Sequence, residues 1–279
     1  MTRGARQRFV HGDDLLYRFL HEVLGKEPEL FAKVPQLMIE SMAIWLPLDV
    51  YYEWPVLLPW VVRDPSCRGN PAKGIPDAWG SPNLNGYLRD DNSLIKTLPR
   101  SLVVRTPVAG RLRGARMGSE FVAAHVWRVV KHAQLASRLP LLNSFVPNLV
   151  WLPAQIAKLT DREESVVQTT LQSMAFAVYR HAPVAPHLEE AVTEAWALIP
   201  DQLPPPRPIS DLNWFESTQQ FFANRSHRLQ SVVAALNALS DGATLTTKVV
   251  TTRYTSGLPG VAAEARRELL NHLARFLND

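Results

Sequence analysis

Residues Phe121 to Glu163 read FVAAHVWRVVKHAQLASRLPLLNSFVPNLVWLPAQIAKLTDRE, and the reading of this stretch decides the fold. Phe121 and Val122 place β-formers directly before His125, inside a segment from Met117 to Val130 that reads as a strand. Asn148 opens a second apolar run, Asn-Leu-Val-x-Leu, which leads into Lys158-Leu-Thr-Asp-Arg162. The separation of His125 from Asn148 suits a loop from strand to strand. Working outward, Arg100, Arg105, Arg111, Arg113, Arg116, Arg128 and Lys131 crowd this stretch, with Glu120 the only acid among them. Such a basic lead-in neutralises phosphates, whose contacts dominate nucleic-acid affinity; a solvated basic face is the alternative.

The Ala-Ala-His-Val step, the Asn-Leu-Val-x-Leu run and the closing Lys-Leu-Thr-Asp-Arg resemble the HNH (ββα-metal) endonucleases. The likeness is to the subfamily with Ala-Ala-His-Ile, Asn-Gly-Leu-Leu-Leu and His-x-Leu-x-Asp, and it covers residues 121–163. It implies a ββα hairpin, with His125 as general base on a water and Asn148 as the residue that orients it. Asn143 is a second candidate for the asparagine role. It further implies Asp161 as a ligand of one divalent cation, Mg²⁺ or Mn²⁺, that stabilises the leaving oxyanion. Two positions depart from the pattern. Ala157 stands where the family has a His or Asn ligand, and Val122 where an acid precedes Ala-Ala-His. Either a rearranged set holds the metal, drawn from Asp161, Glu120, His132 and Glu163, or metal and catalysis are lost. Strand alternation puts residues 121, 123 and 125 on one face, so Glu120 points to the other unless a bulge intervenes.

Before this stretch, a helix is expected over DLLYRFLHEVL from Asp14, and another from Glu27 to Trp45 with Pro28 in its first turn and Pro35 as a bend or break. Leu46 to Val62 fits either a buried extended segment or short helical turns, and Arg63 to Asn85 reads as loop. Asp90, Asp91 and Lys96 form a second polar cluster. It suits a carboxylate-plus-lysine nuclease site that holds metal, or alternatively a helix-capping turn, Asp-Asp-Asn-Ser.

Ser101 to Arg105 reads as a strand. After Glu163, helices are expected over 163–181 and 187–199, a proline-rich boundary over Asp201–Pro208, and a long helix from Ser210 to Leu239 that includes Trp214 and Phe215. A β-ribbon is expected over Thr244–Thr252, followed by Arg253 as a nucleic-acid contact or an ordinary hairpin residue, and a last helix over Val261–Leu277.

With 279 residues and 46% hydrophobic content the chain can bury a full core. The single cysteine, Cys67, excludes a disulfide framework and a multi-cysteine zinc site. No apolar segment follows Met1–Arg8, and proline or charge interrupts every apolar run short of a membrane span, so a soluble cytoplasmic protein without a membrane partner is expected. The expected fold is α+β, mainly helical with a small ββα-metal (HNH-like) nuclease module. Its parts are an N-terminal helical and loop region (1–100), the module (101–182) and a C-terminal helical region completing the core (183–279). The expected function is a metal-dependent endonuclease on double-stranded DNA, of a prokaryotic restriction or defence type and a homodimer if it cuts both strands. Arg111, Arg113, Arg116, Arg128, Lys131 and Arg253 would be its nucleic-acid contacts. The alternatives are a DNA-binding module with a decayed nuclease core and a helical protein-interaction subunit.

Overall fold

The computed structural model describes residues 18, 22, 24–67, 74, 85–106, 113–161, 164–206, 208–209, 212–245, 255 and 257–277, with backbone alone for Leu24, Ala32 and Asp161. The expected first helix and the β-ribbon after Thr244 lie, for most of their length, outside the described residues. Helix α1 (Pro28–Met42) starts on a proline, whose missing N–H falls where a helix has no use for one, and it runs through Pro35 without a break. It ends earlier than expected because Ile44 and Trp45 turn extended and form strand β1 (Ile44–Trp45), fully within the core. The ambiguous segment after it holds both kinds of structure, helix α2 (Leu48–Glu53) and then strand β2 (Val61–Arg63).

Strand β3 (Leu88–Asp90) pairs in parallel with β2, setting Arg63 beside Asp90. Helix α3 (Ser93–Thr97) and strand β4 (Val103–Arg105) follow. Strand β5 (Phe121–His125) ends at the histidine, shorter than expected. A turn then leads to the small hairpin of β6 (Val129–Val130) and β7 (Gln134–Leu135). The short helix α4 (Pro140–Asn143) precedes strand β8 (Leu149–Pro153), which passes directly into α5 (Ala154–Ala157). Helices α6 (Val166–Tyr179) and α7 (Glu189–Leu198) match the expected pair.

The expected helix from Ser210 is divided. Asn213–Glu216 form strand β9, and α8 (Gln219–Ser240) begins only after Thr218, whose hydroxyl accepts the Phe221 N–H as an N-cap. The strand wins because both its edges are paired, parallel to β1 and antiparallel to β4. Phe215 then packs edge-on against Trp151, with ring centroids 5.4 Å apart. Helix α9 (Ala263–Ala274) closes the chain.

Five strands make one mixed sheet in the order β4-β9-β1-β8-β5. Together with the helices they give an α+β fold. Its strands come from all three expected regions, with N-terminal β1 and C-terminal β9 lying between β4 and β8. One hydrophobic core follows from this interleaving. At its centre Tyr51, Phe145, Trp127 and Phe176 surround Trp196 or one another in edge-to-face contacts. Trp196 Nε1 donates to the Tyr51 hydroxyl at 2.9 Å and the Tyr179 hydroxyl donates to Leu46 O at 2.6 Å, whereas Trp127 Nε1 is buried without a partner. This cluster braces the turn between Asn143 and Asn148. Among the described residues no helix is long and apolar enough to cross a membrane.

A candidate anion cleft beside His125

Strands β5 and β8 pair antiparallel along their full length, from Phe121 opposite Pro153 to His125 opposite Leu149. Helix α5 then folds back onto β5, so β5 and the helix enclose one side of a cleft of about 600 Å³. Val122, Ala123, Ala124 and His125 line it from β5, and Ala154, Ala157, Lys158 and Thr160 from the helical side. Arg63 and Pro65 enter from the end of β2, Asn92 from the turn before α3, and Arg128, Leu135, Ser137 and Arg138 from the connection after β5. Four cationic side chains therefore line the cleft together with His125, and no carboxylate is among the described residues lining it.

The imidazole has a defined protonation. Its Nε2 lies 2.9 Å from the carbonyl oxygen of Asn143, which only accepts, so Nε2 carries the hydrogen and Nδ1 keeps its lone pair. Burial lowers the pKa from 6.5 to about 4, and the charge of Arg63 pushes the same way, against the carbonyl and side chain of Asn143. At neutral pH His125 is thus an uncharged base.

Asn148 does not touch the imidazole. Its side-chain oxygen accepts the Trp127 N–H at 2.7 Å, its amide donates to Leu142 O at 2.9 Å, and its carbonyl accepts from Val126 N at 3.0 Å. It fastens the two residues that follow His125, so its positioning role runs through backbone. The contact with the ring belongs to Asn143, the alternative asparagine. Asn143 also donates from Nδ2 to Val61 O at 3.1 Å, tying β2 to the histidine, and its Oδ1 is buried without a hydrogen bond.

The other expected site residues are dispersed. Glu120 is exposed with φ of +61°, and its carbonyl accepts from Ala154 N. It sits at the opposite end of β5 from His125. Five residues of strand span about 16 Å, too far for one metal ion to bridge the two side chains. Asp161 ends the turn Lys158–Asp161, and its side chain is outside the described part. Arg111, Arg162, Glu163 and Arg253 lie outside the described residues altogether. Arg113 and Arg116 are exposed and do not line the cleft, and Lys131 is engaged with Ala197 O at 3.0 Å. Of the expected cationic contacts among the described residues, only Arg128 lines the cleft. His132 is exposed, with φ of +62°.

The Asp90–Lys96 cluster forms a cap. Asp90 is fully buried and accepts the Leu94 N–H at 3.0 Å, while Asp91 accepts the Ser93 N–H at 3.1 Å. Burial raises the Asp90 carboxyl to about 6, with Asp91 adding to the rise and backbone N–H groups opposing it. No ion pair joins Asp90 to Lys96 among the described residues. Asn92, at φ of +87°, donates from Nδ2 to Ala123 O at 3.0 Å and docks this cap on β5.

The side chains of Asp161 and Glu163, two of the expected metal ligands, lie outside the described part. Val122 and Ala157, the two departures from the HNH pattern, line the cleft; the described charged side chains lining it are positive, and His125 keeps the lone pair on Nδ1. No group of three or more His, Cys, Asp or Glu suited to a metal occurs among the described residues. Arg63 and Arg138 were not singled out from the sequence. The only signal for Arg63 was an arginine ending a buried apolar run, Leu57–Val62. No family model, curated protein or solved structure matches the chain.

Proposed function

We propose that the chain binds nucleic acid through the β5 cleft and hydrolyses a phosphodiester there, with His125 as general base. The observation that carries the reading is a neutral imidazole, Nδ1 unprotonated, in a cleft that Arg63, Arg128, Arg138 and Lys158 also line, with no carboxylate among its described lining residues. In the reaction the water oxygen bonds to phosphorus while its proton passes to Nδ1. The phosphorus–oxygen bond to the leaving alkoxide breaks, and that oxygen takes a proton from solvent. Asn143 holds the ring, and Asn148 holds the chain after it. The HNH likeness and the basic segment favour double-stranded DNA as substrate, in a restriction or defence role. Cutting both strands would call for a homodimer, since one site opens one strand at a time.

A second reading, a DNA-binding module without catalysis, is favoured by Ala157 and Val122, the two positions where metal-ligand chemistry of the family is missing. Wild-type and His125→Ala protein incubated with supercoiled plasmid and modified phage DNAs, in Mg²⁺, Mn²⁺ or EDTA, separate the two. Nicking by the wild type that the variant lacks supports the enzyme. Salt-sensitive binding without nicking supports the module, and absence of DNA binding removes both.

A further inference from the structure

We infer that the guanidinium of Arg63 takes the place at the scissile phosphate that a divalent cation holds in the ββα-metal enzymes, so that the β5 cleft is an anion site that works without metal. The inference rests on the proposed hydrolysis only for the identity of the anion. The site itself follows from charge and geometry.

Arg63 is the last residue of β2, two residues beyond the Val61 carbonyl that the Asn143 amide binds, so the residue whose backbone carbonyl holds His125 also positions the strand carrying Arg63. Its Nε is buried without a hydrogen-bond partner, a donor whose own desolvation calls for an acceptor. The neighbouring carboxylate does not supply one. Asp64 is occupied by Arg89 at 3.3 Å and by the Ser66 N–H at 2.9 Å, and no described carboxylate pairs with Arg63. Arg138 and Lys158 add charge of the same sign at the mouth. Such a ring repels a divalent cation and attracts a phosphate, and a planar fork of N–H donors matches two phosphate oxygens. Asn92 lines the same cleft, and its Oδ1 is likewise buried without a partner. The hydrolysis consumes one water and needs neither oxidant nor reductant.

The test uses the full chain, with inorganic phosphate and Mn²⁺ as probes and the His125 ring resonances as the reporter. Expected results are phosphate binding in EDTA that shifts the His125 signal, affinity at least tenfold weaker in Arg63→Gln with partial recovery in Arg63→Lys, and no broadening by Mn²⁺. DNA nicking, measured in parallel, should run within twofold in EDTA and in Mg²⁺. Should Arg63→Gln fail to fold, exposed Arg138→Gln replaces it, with a threefold or greater loss of phosphate affinity expected. Broadening of His125 by Mn²⁺ together with nicking abolished by EDTA overturns the inference and leaves the nuclease reading standing. Failure of the wild type to bind phosphate also overturns it. Arginine-dependent phosphate binding without DNA binding keeps the anion site and removes the nucleic-acid reading.

Discussion

His125 and Asp90 titrate in opposite senses, and both effects bear on stability. Folding lowers the His125 pKa from 6.5 to about 4, so between those values the unfolded chain takes up a proton that the folded chain refuses, and stability falls as pH drops. Folding raises the Asp90 pKa from 3.8 to about 6, so its contribution is full below 3.8 and is lost as pH rises through 6. Each shift corresponds to roughly 3 kcal/mol, and in the shared window the two slopes offset each other. Relative to wild type, Asp90→Asn should gain stability with rising pH between about 4 and 6.5, and His125→Gln should lose it. Urea denaturation at three pH values checks this; parallel slopes in the two variants would refute it. If His125 is the base, hydrolysis should also hold its rate well below pH 6 and fall only toward 4, which a pH–rate profile reads directly. At this scale His125 was legible because its Ala-Ala-His-Val step is local. Arg63 was not, because it reaches the same cleft from a strand paired with β3, far off in the chain.

Among the elements, the turn between α4 and β8 carries the site. Asn148→Ala strands the Trp127 N–H in the core, at about 1–3 kcal/mol, and removes one of the donors to the Leu142 carbonyl, at about 1 kcal/mol. Denaturant unfolding should show a loss of about 2–4 kcal/mol, and any remaining nicking should fall even where the variant is fully folded. Thr218→Ala should cost about 1 kcal/mol through loss of the α8 cap. The helices after Glu163 were legible from their spacing. Strands β1 and β9 were not, because two and four residues carry no measurable period, and Trp214 and Phe215 fit a helix face as well as a strand. Their pairing with distant segments settles them, and local pattern does not contain that information. The turn at Asp90–Ser93 was half legible: its capping chemistry is written in Asp-Asp-Asn-Ser, but its docking on β5 through Asn92 is not.

For the whole molecule, the interleaved sheet makes the three sequence regions one cooperative unit. A fragment spanning residues 101–182 lacks β1 and β9, which separate β4 from β8, and should show no dispersed amide spectrum when expressed alone. In the intact chain, tryptophan fluorescence and far-ultraviolet circular dichroism should report coincident unfolding. Trp196→Ala should cost about 3–5 kcal/mol, because the ring contacts Trp127, Phe145 and Phe176 together and its N–H holds Tyr51. Class was legible at this scale, since helical spacing and short β-rich runs announce an α+β chain. The sharing of one sheet by both ends of the chain was not. There is a consequence in the position of β5 at the rim of that sheet. A rim strand has one side ready to recruit a stray β-segment, the first step toward amyloid-like clumping. Asn92 occupies that side at Ala123 with its amide, and the residue also lines the cleft. One side chain thus acts as a stopper against self-templating and as part of the working surface, so selection for solubility and selection for chemistry press on the same residue.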